Sequence, residues 1–332
     1  MAKERNWRLD NLRAFLIILV VVGHLTEILS YPQSDFVYRF IYAFHMPGFA
    51  LLSGLCWNGA KEGRILKRLL YPYLIFQTLY QIFHYFVFGG DLVLQYTTPY
   101  WVMWYLMALM GWELMAAALP LSKCWSGLAV VAGTLIAALL AGQDTAIGYF
   151  LSLSRMLVLF PFFVAGVWLN RHTAALMAAP ARWWLKLAAA IGFLLCAGIV
   201  WHWRETLQPA WLFHRGSYTA DAYTPLIRLG LLLLAAVLLA SLLILIPNRR
   251  FEPISWLGQN TMPVFLIHGF LMRWISARGL FQSVPYNWRG LLVVGLALAI
   301  SFVLSSPPVV WLTRPLMRWP FERKSGRRHA VH

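Results

Sequence analysis

Stretches of about twenty apolar residues recur along the whole chain, separated by short polar breaks. Only helices and closed barrels satisfy every backbone hydrogen bond in lipid, and a barrel strand shows as roughly ten residues of alternating character. Runs of this length instead suit helices crossing about 30 Å of hydrocarbon. Of the 332 residues, 60% are hydrophobic and 12% charged, about half the charged share usual in a soluble protein. The pattern predicts an all-α polytopic membrane protein without a soluble domain. Ten spans are expected, near 9–29, 37–57, 68–88, 101–119, 125–141, 150–169, 184–203, 223–246, 259–276 and 290–313.

The cations favour one side. Lys61, Arg64, Lys67 and Arg68 fall between the second and third spans, and Lys123 follows the fourth. Arg171, Arg182 and Lys186 follow the sixth, Arg249 and Arg250 the eighth, and the tail adds Arg318, Arg323, Lys324, Arg327 and Arg328. Loops 89–100 and 142–149 hold neither Lys nor Arg. By the positive-inside rule both termini are expected in the cytoplasm, as for a multi-pass protein of a bacterial inner membrane. Residues 1–332 read as one domain, with a core of about 9–314 and a basic tail at 315–332. The net charge of +16 sits in these loops, so it reports topology and argues against nucleic acid. The first apolar run is too long for a signal peptide and holds ionisable residues, so it reads as a retained span. Cys56, Cys124 and Cys196 are spaced as neither a metal set nor a disulfide framework.

Ionisable side chains inside a span are costly and point to function. The first span has Asp10 and Arg13 at its start and His24 and Glu27 well inside. Arg13 and His24 are eleven residues apart, roughly 20° from three full helical turns and about 16 Å along the axis. One stripe thus carries a cation near the surface and an imidazole deep in the bilayer. Glu27, three residues on, is within reach of that ring. His45 lies in FHMPGFALLSG on the antiparallel second span, at a depth that allows a facing pair of imidazoles. Pro47 kinks that helix, and Ser53 and Gly54 permit a close helix approach. A lone buried histidine is most often an interior side chain with a satisfied hydrogen bond; the company of Arg13, Glu27 and His45 moves His24 towards chemistry.

Beyond the first two spans the signals are weaker. Arg64, Lys67 and Arg68 can hold phosphates as well as mark the inner face, and with Asp10 they form the candidate donor-binding set. Trp104, Tyr105, Arg155 and His268 are candidates on the acceptor side, each with a structural alternative: interface belt, snorkelling or packing. Asn260 and Thr261 suit a helix start with Pro263 in the first turn. The 204–222 loop, rich in aromatic and charged residues such as Trp211, His214 and Arg215, suits a cap over a polar ligand.

Read together, RLDNLRAFLIILVVVGH, FHMPGFALLSG and RILKRLLYPY, with fainter WYL, SRMLVLFPFF and WLGQNTMPVFLIH, resemble acyltransferase family 3, the integral-membrane O-acyltransferases of bacterial surface glycans. The branch most similar is that named for fucose 4-O-acetylase. The resemblance implies that His24 is the catalytic histidine, with Arg13 as its partner. It also implies acetyl-CoA, or another acyl-CoA, as a donor substrate from the cytoplasm and a glycan or glycolipid hydroxyl as acceptor, with no resident cofactor or metal. The family's Arg-x-x-Arg motif is altered here, since Arg64 is followed at that spacing by Lys67 and Arg68 is preceded by Ile65. Larger members append a hydrolase-like domain, and none is expected after residue 314.

The residues suit that reaction, because an imidazole can take a sugar hydroxyl's proton as it attacks a thioester. A proton-coupled transporter or flippase for an anionic sugar or lipid would use the same buried groups, although no inverted repeat with interrupted helices is visible. A scaffold subunit leaves the charges of the first three spans unexplained.

Overall fold

A computed structural model describes residues 5–59, 62–121, 123–173 and 181–319, without the side chains of Glu62 and Arg64. Lys61, the Arg64 side chain and the tail from residue 320 therefore lie outside the described residues. All regular structure among the described residues is helical. The order is α1 (Trp7–Ile28), α2 (Ser34–Leu55), and α3 (Glu62–Ile65), which runs through a π-helical turn (Leu66–Leu70) into α4 (Tyr71–Phe88). Then come α5 (Trp104–Ala117), α6 (Cys124–Leu140), α7 (Leu153–His172), α8 (Trp183–Trp203) and the short α9 (Pro209–Phe213). The chain closes with α10 (Pro225–Leu245), α11 (Ile254–Gln259), α12 (Thr261–Arg278), α13 (Arg289–Leu304) and α14 (Pro307–Met317).

Each expected span falls on a helix, but the helices are not equally suited to lipid. Five are long and apolar enough to cross a membrane: α1, α7, α8, α10 and α13, with α7 and α13 counted with their preceding turns. α5 and α6 are apolar but shorter. α2, α4 and α12 are not among them: they carry Asp35 and Arg39, Gln77 and Gln81, and Arg273 and Arg278, as well as the buried His45 and His268. The chain is a multi-pass, all-helical membrane protein.

Two expected boundaries shift for local reasons. The segment 290–313 is two helices: α13 stops at Leu304, and Ser306 is extended before Pro307 and Pro308 open α14. A proline disfavours helical geometry in the residue before it and suits the first helical position. The ninth segment starts at Thr261 after the separate α11; Asn260 lies at the break and donates back to the Trp256 carbonyl at 2.9 Å.

Apolar side chains gain little from leaving lipid, so close packing of small residues and polar clamps must hold such a bundle together. α2 and α7 cross backbone to backbone. A Cβ on Gly54 would overlap the Phe163 carbonyl, and one on Gly166 would overlap that of Leu51. α1 packs against α2, α10, α11, α12 and α13. Its first turn is fastened by polar bonds: Arg8 Nε donates to Ile246 O at 2.9 Å, and Asn11 Nδ2 to Arg249 O at 2.9 Å. Ser255 Oγ donates to Asn11 Oδ1 at 2.8 Å, and Gly258 sits directly on the Asp10 backbone. The helix carrying the stripe is therefore fixed in rotation as well as position.

Candidate active site

α1 projects His24 into a cavity of about 270 Å³. The ring's Nδ1 lies 3.1 Å from Glu27 Oε2, one helical turn on, and 3.1 Å from the Tyr42 hydroxyl on α2. Tyr38 donates to the other Glu27 oxygen at 2.7 Å. A carboxylate at Nδ1 favours the proton there, so Nε2 keeps its lone pair; Nε2 has no hydrogen-bond partner among the described residues. A carboxylate oriented by a tyrosine, holding a histidine in one tautomer, can serve general-base chemistry.

The second imidazole beside His24 is not the one expected. His268 on α12 stacks on His24 with centroids 5.4 Å apart and planes at 25°. Its Nδ1 donates to Val264 O at 2.8 Å, and its buried Nε2 has no partner. His45 lines the same cavity but bonds through Nδ1 to Ile41 O at 2.8 Å, and Tyr42 stands between it and His24. The facing pair expected across α1 and α2 is thus a stacked pair across α1 and α12. The cause is register: Tyr42, three residues before His45, occupies the space opposite His24.

At the start of α1, the buried Asp10 pairs with Arg13 Nη1 at 2.9 Å and with Arg5 Nε at 2.7 Å. Arg13 also reaches the Cys56 thiol at the end of α2. Asp10 therefore aims the cation on the stripe. Lys67 and Arg68 are exposed at the π-helical turn before α4 and do not line the cavity.

The acceptor-side candidates separate. Tyr105 lies outside the cavity, where its hydroxyl meets Ser53 Oγ at 2.7 Å and donates to Phe49 O at 3.1 Å, tying α5 to α2. Trp104 lines the cavity beneath Arg155, whose guanidinium carbon is 4.6 Å from the ring centroid. Arg155 does not snorkel. It is 9% exposed, and its Nε donates to Phe213 O at 3.0 Å.

The remaining wall is made of loops. Phe213, His214 and Arg215 close one side, so the 204–222 segment does cap the cavity. Ser154 Oγ donates to His214 O at 2.8 Å, and Arg228 clamps the loop from beneath. His214 is buried, and burial first, then Arg228 and Arg155, push its pKa down to about 3. Trp101, on the opposite loop, packs 4.6 Å from His24. Its loop is held by Gln77, which donates to Gln95 O and Thr98 O and accepts from Tyr100 N, and by Gln81, which binds Gln95. Trp101, Leu151, Ser152 and His214 all have positive φ, at 39°, 49°, 55° and 52°. Such residues each cost roughly 1–3 kcal/mol and cluster where a site demands them.

Trp101, Tyr42 and Arg228 were not among the residues expected from sequence. Tyr42 had a usable signal, since it shares a helix face with His45. So did the two glutamines four residues apart in α4, which announce a polar partner inside the bundle. Trp101 had none.

The family model described as an acyltransferase domain matches residues 6–306, from the approach to α1 to just past α13. The chain belongs to this acyltransferase family. It is also similar to the nodulation protein NolL of Sinorhizobium fredii (strain NBRC 101917 / NGR234), 29% identical over 146 residues. That stretch covers 37% of this chain and 40% of NolL, so the likeness spans well under half of the relative. No solved structure gives a significant match.

Proposed function

We propose that the protein moves an acyl group, acetyl in the first instance, from acyl-CoA to a hydroxyl of a cell-surface or lipid-linked glycan. His24 serves as general base. The observation that carries this reading is the Glu27–His24 pair, with Nδ1 bonded to the carboxylate and Nε2 unpartnered at a cavity of about 270 Å³. Nε2 takes the acceptor's hydroxyl proton as its oxygen bonds to the thioester carbonyl carbon. The tetrahedral intermediate collapses by breaking the C–S bond, and the imidazolium returns its proton to the departing CoA thiolate. A positioned base of this kind contributes about 10²–10⁴-fold.

Donor and acceptor arrive from different ends. Arg13, held by Asp10, lies about 16 Å along α1 from His24, within the length of an extended pantetheine arm. Arg13 with Lys67, Arg68 and Arg64 would meet the CoA phosphates at the cytoplasmic face of a bacterial inner membrane, and the loop-capped cavity would receive the glycan. The choice of an acetyl donor rests on the resemblance of the sequence motifs to the fucose 4-O-acetylase branch, a finer placement than the family match itself gives.

The test is transfer of label from acetyl-CoA to an envelope glycan fraction by purified protein in detergent, where no gradient exists to drive transport. The wild type is expected to transfer label, and His24→Asn, folded to the same melting temperature, to lose it. Near wild-type turnover by that variant would overturn the role given to His24. Mass spectrometry of envelope glycans with and without the gene then identifies the acceptor by its missing acetyl group.

A further inference from the structure

Two arginines are buried beneath the capping loop, Arg155 on α7 and Arg228 on α10, and their surroundings differ. Arg228 is wholly buried, and four of its five N–H hydrogens are bonded, two of them to Tyr223. Nε donates to the Tyr223 hydroxyl at 2.9 Å, Nη1 to Ala138 O at 3.0 Å and Nη2 to Gly216 O at 3.1 Å. It is a structural clamp. Arg155 has one backbone bond, to Phe213 O, and a side-chain hydrogen bond to Tyr149, stands beside the like charge of Arg215, and otherwise faces the rings of Trp104 and Tyr149, with centroids 4.6 and 5.4 Å away. Among the described residues no carboxylate lies within ion-pair distance of Arg155 or of Arg215 on the same cavity wall; Asp221, outside the cavity lining, feels the charge of Arg215 and Arg228 but pairs with neither. The one acidic residue lining the cavity, Glu27, has both oxygens engaged by His24 and Tyr38.

Buried charges in proteins are paired or neutralised. Stacking on aromatic faces returns about 2 kcal/mol or somewhat more when desolvated, and one carbonyl and the Tyr149 side chain leave most of a guanidinium built for five bonds unused. The missing partner is an oxyanion, and the arginine fork matches a carboxylate or a phosphate in bidentate fashion. His214 adds a buried Nδ1 without a partner, suited to a hydroxyl. The aromatic walls suit the flat face of a sugar ring. At about 270 Å³ the cavity lies just below the roughly 300–1,000 Å³ of common ligand pockets, room for one sugar rather than several.

We infer that the acceptor is an anionic sugar whose carboxylate or phosphate oxygens are held by Arg155 and Arg215 while one of its hydroxyls meets Nε2 of His24. This rests on the acyltransferase reading of the same cavity and narrows its substrate class. The oxyanion gives orientation, because it fixes which hydroxyl comes under the base.

The experiment measures binding to the purified full chain in a detergent without a sugar headgroup, in the absence of acyl-CoA. The probes are methyl glucuronide, galacturonide and mannuronide, their neutral methyl hexosides, and the matching hexose 1-phosphates. At least one anionic probe is expected to bind about ten- to a hundredfold tighter than its neutral partner, as hydrogen bonds to charged groups imply, with the advantage shrinking as salt rises. Preference for uronate or for phosphate tells which oxyanion the site takes. Arg155→Gln and the solvent-facing Arg215→Gln should each remove most of that preference, and Arg155→Lys should keep part of it. The inference is overturned if no anionic probe outbinds its neutral partner, or if the preference survives both glutamine variants. His24→Asn separates this from the acyltransferase reading, since it should keep the anion preference while losing transfer. Equal transfer to neutral and anionic acceptors sinks the inference alone. A preserved anion preference with no transfer from acetyl-CoA to the bound sugar sinks the acetyl-transfer reading alone.

Discussion

The cavity has a helical wall and a loop wall, and they are made in different ways. The helical wall holds His24 and Glu27 from α1 and Tyr42 and His45 from α2, with His268 of α12 stacked behind His24, each placed by helical register and fixed by short-range bonds. The loop wall holds Trp101, Tyr149, His214 and Arg215, two of them with left-handed backbones, fastened by bonds from distant helices. On the reading proposed above, the base and its carboxylate sit on the rigid scaffold, while the acceptor would be held by Arg155, from the scaffold helix α7, together with Arg215 on a loop that the scaffold clamps. A division of this kind lets the acceptor change without rebuilding the base.

The comparison predicts that damage to the helical wall removes turnover without loosening the protein, while damage to the loop wall does both. The largest effect is expected for His24→Asn: loss of transfer by about 10²–10⁴-fold, roughly 3–5 kcal/mol of barrier, with the melting temperature in detergent close to wild type. The opposite signature is expected for Arg228→Met. Three acceptors, the Tyr223 hydroxyl and the Ala138 and Gly216 carbonyls, lose a charged donor. Each buried orphan costs about 1–3 kcal/mol, so a clear drop in melting temperature and faster proteolysis of the 204–222 loop should accompany the loss of activity. An Arg228→Met variant that melts like wild type would show that the loop wall stands without its clamp.

What the sequence disclosed follows the same division. The stripe from Arg13 to His24 and Glu27 was legible because a helix has one period, and Gly54 was legible because only a glycine permits the backbone of α7 so near. Span ten was misjudged as one helix, although Pro307 and Pro308 marked the break. The loop wall was legible only in part: the chemistry of the 204–222 segment suggested a cap, but which of its residues turn inward depends on Ser154, Arg155 and Arg228, tens of residues apart in the chain. Trp101 was invisible for the same reason, since Gln77 and Gln81 on α4 dictate its loop. Choosing His268 rather than His45 as the neighbour of His24 needed the side-chain registers of α1, α2 and α12 together, which periodicity within one helix does not supply.

A smaller effect should come from the second position on the helical wall. Glu27→Gln keeps a polar group near Tyr38 but removes the charge that holds the His24 proton on Nδ1. Transfer should fall about tenfold, near 1.4 kcal/mol, with binding of acyl-CoA unchanged by titration. If the variant matches wild type, Glu27 only completes the interface, and Tyr42 becomes the group that sets the tautomer.

The smallest effect belongs to His214 and asks whether the loop wall is as dry as its packing implies. Burial, with Arg228 and Arg155 close by, moves this imidazole from 6.5 down to about 3. An opened loop takes up a proton as pH falls below about 6.5, whereas the closed loop refuses it until about 3. The folded state therefore binds fewer protons throughout that window, and the stability due to a neutral His214 is complete above pH 6.5 and drains away as pH falls towards 3. Hydrogen exchange of the 204–222 segment should speed up in wild type over this range, and less so in His214→Gln, which cannot be protonated. Parallel profiles in the two proteins would mean that water reaches the ring in the resting state. The loop wall would then be an open rim in which even the buried Arg155 is solvated, and the dry packing of His214 against Ser154, Arg155 and Arg228 would fail as an account of this wall.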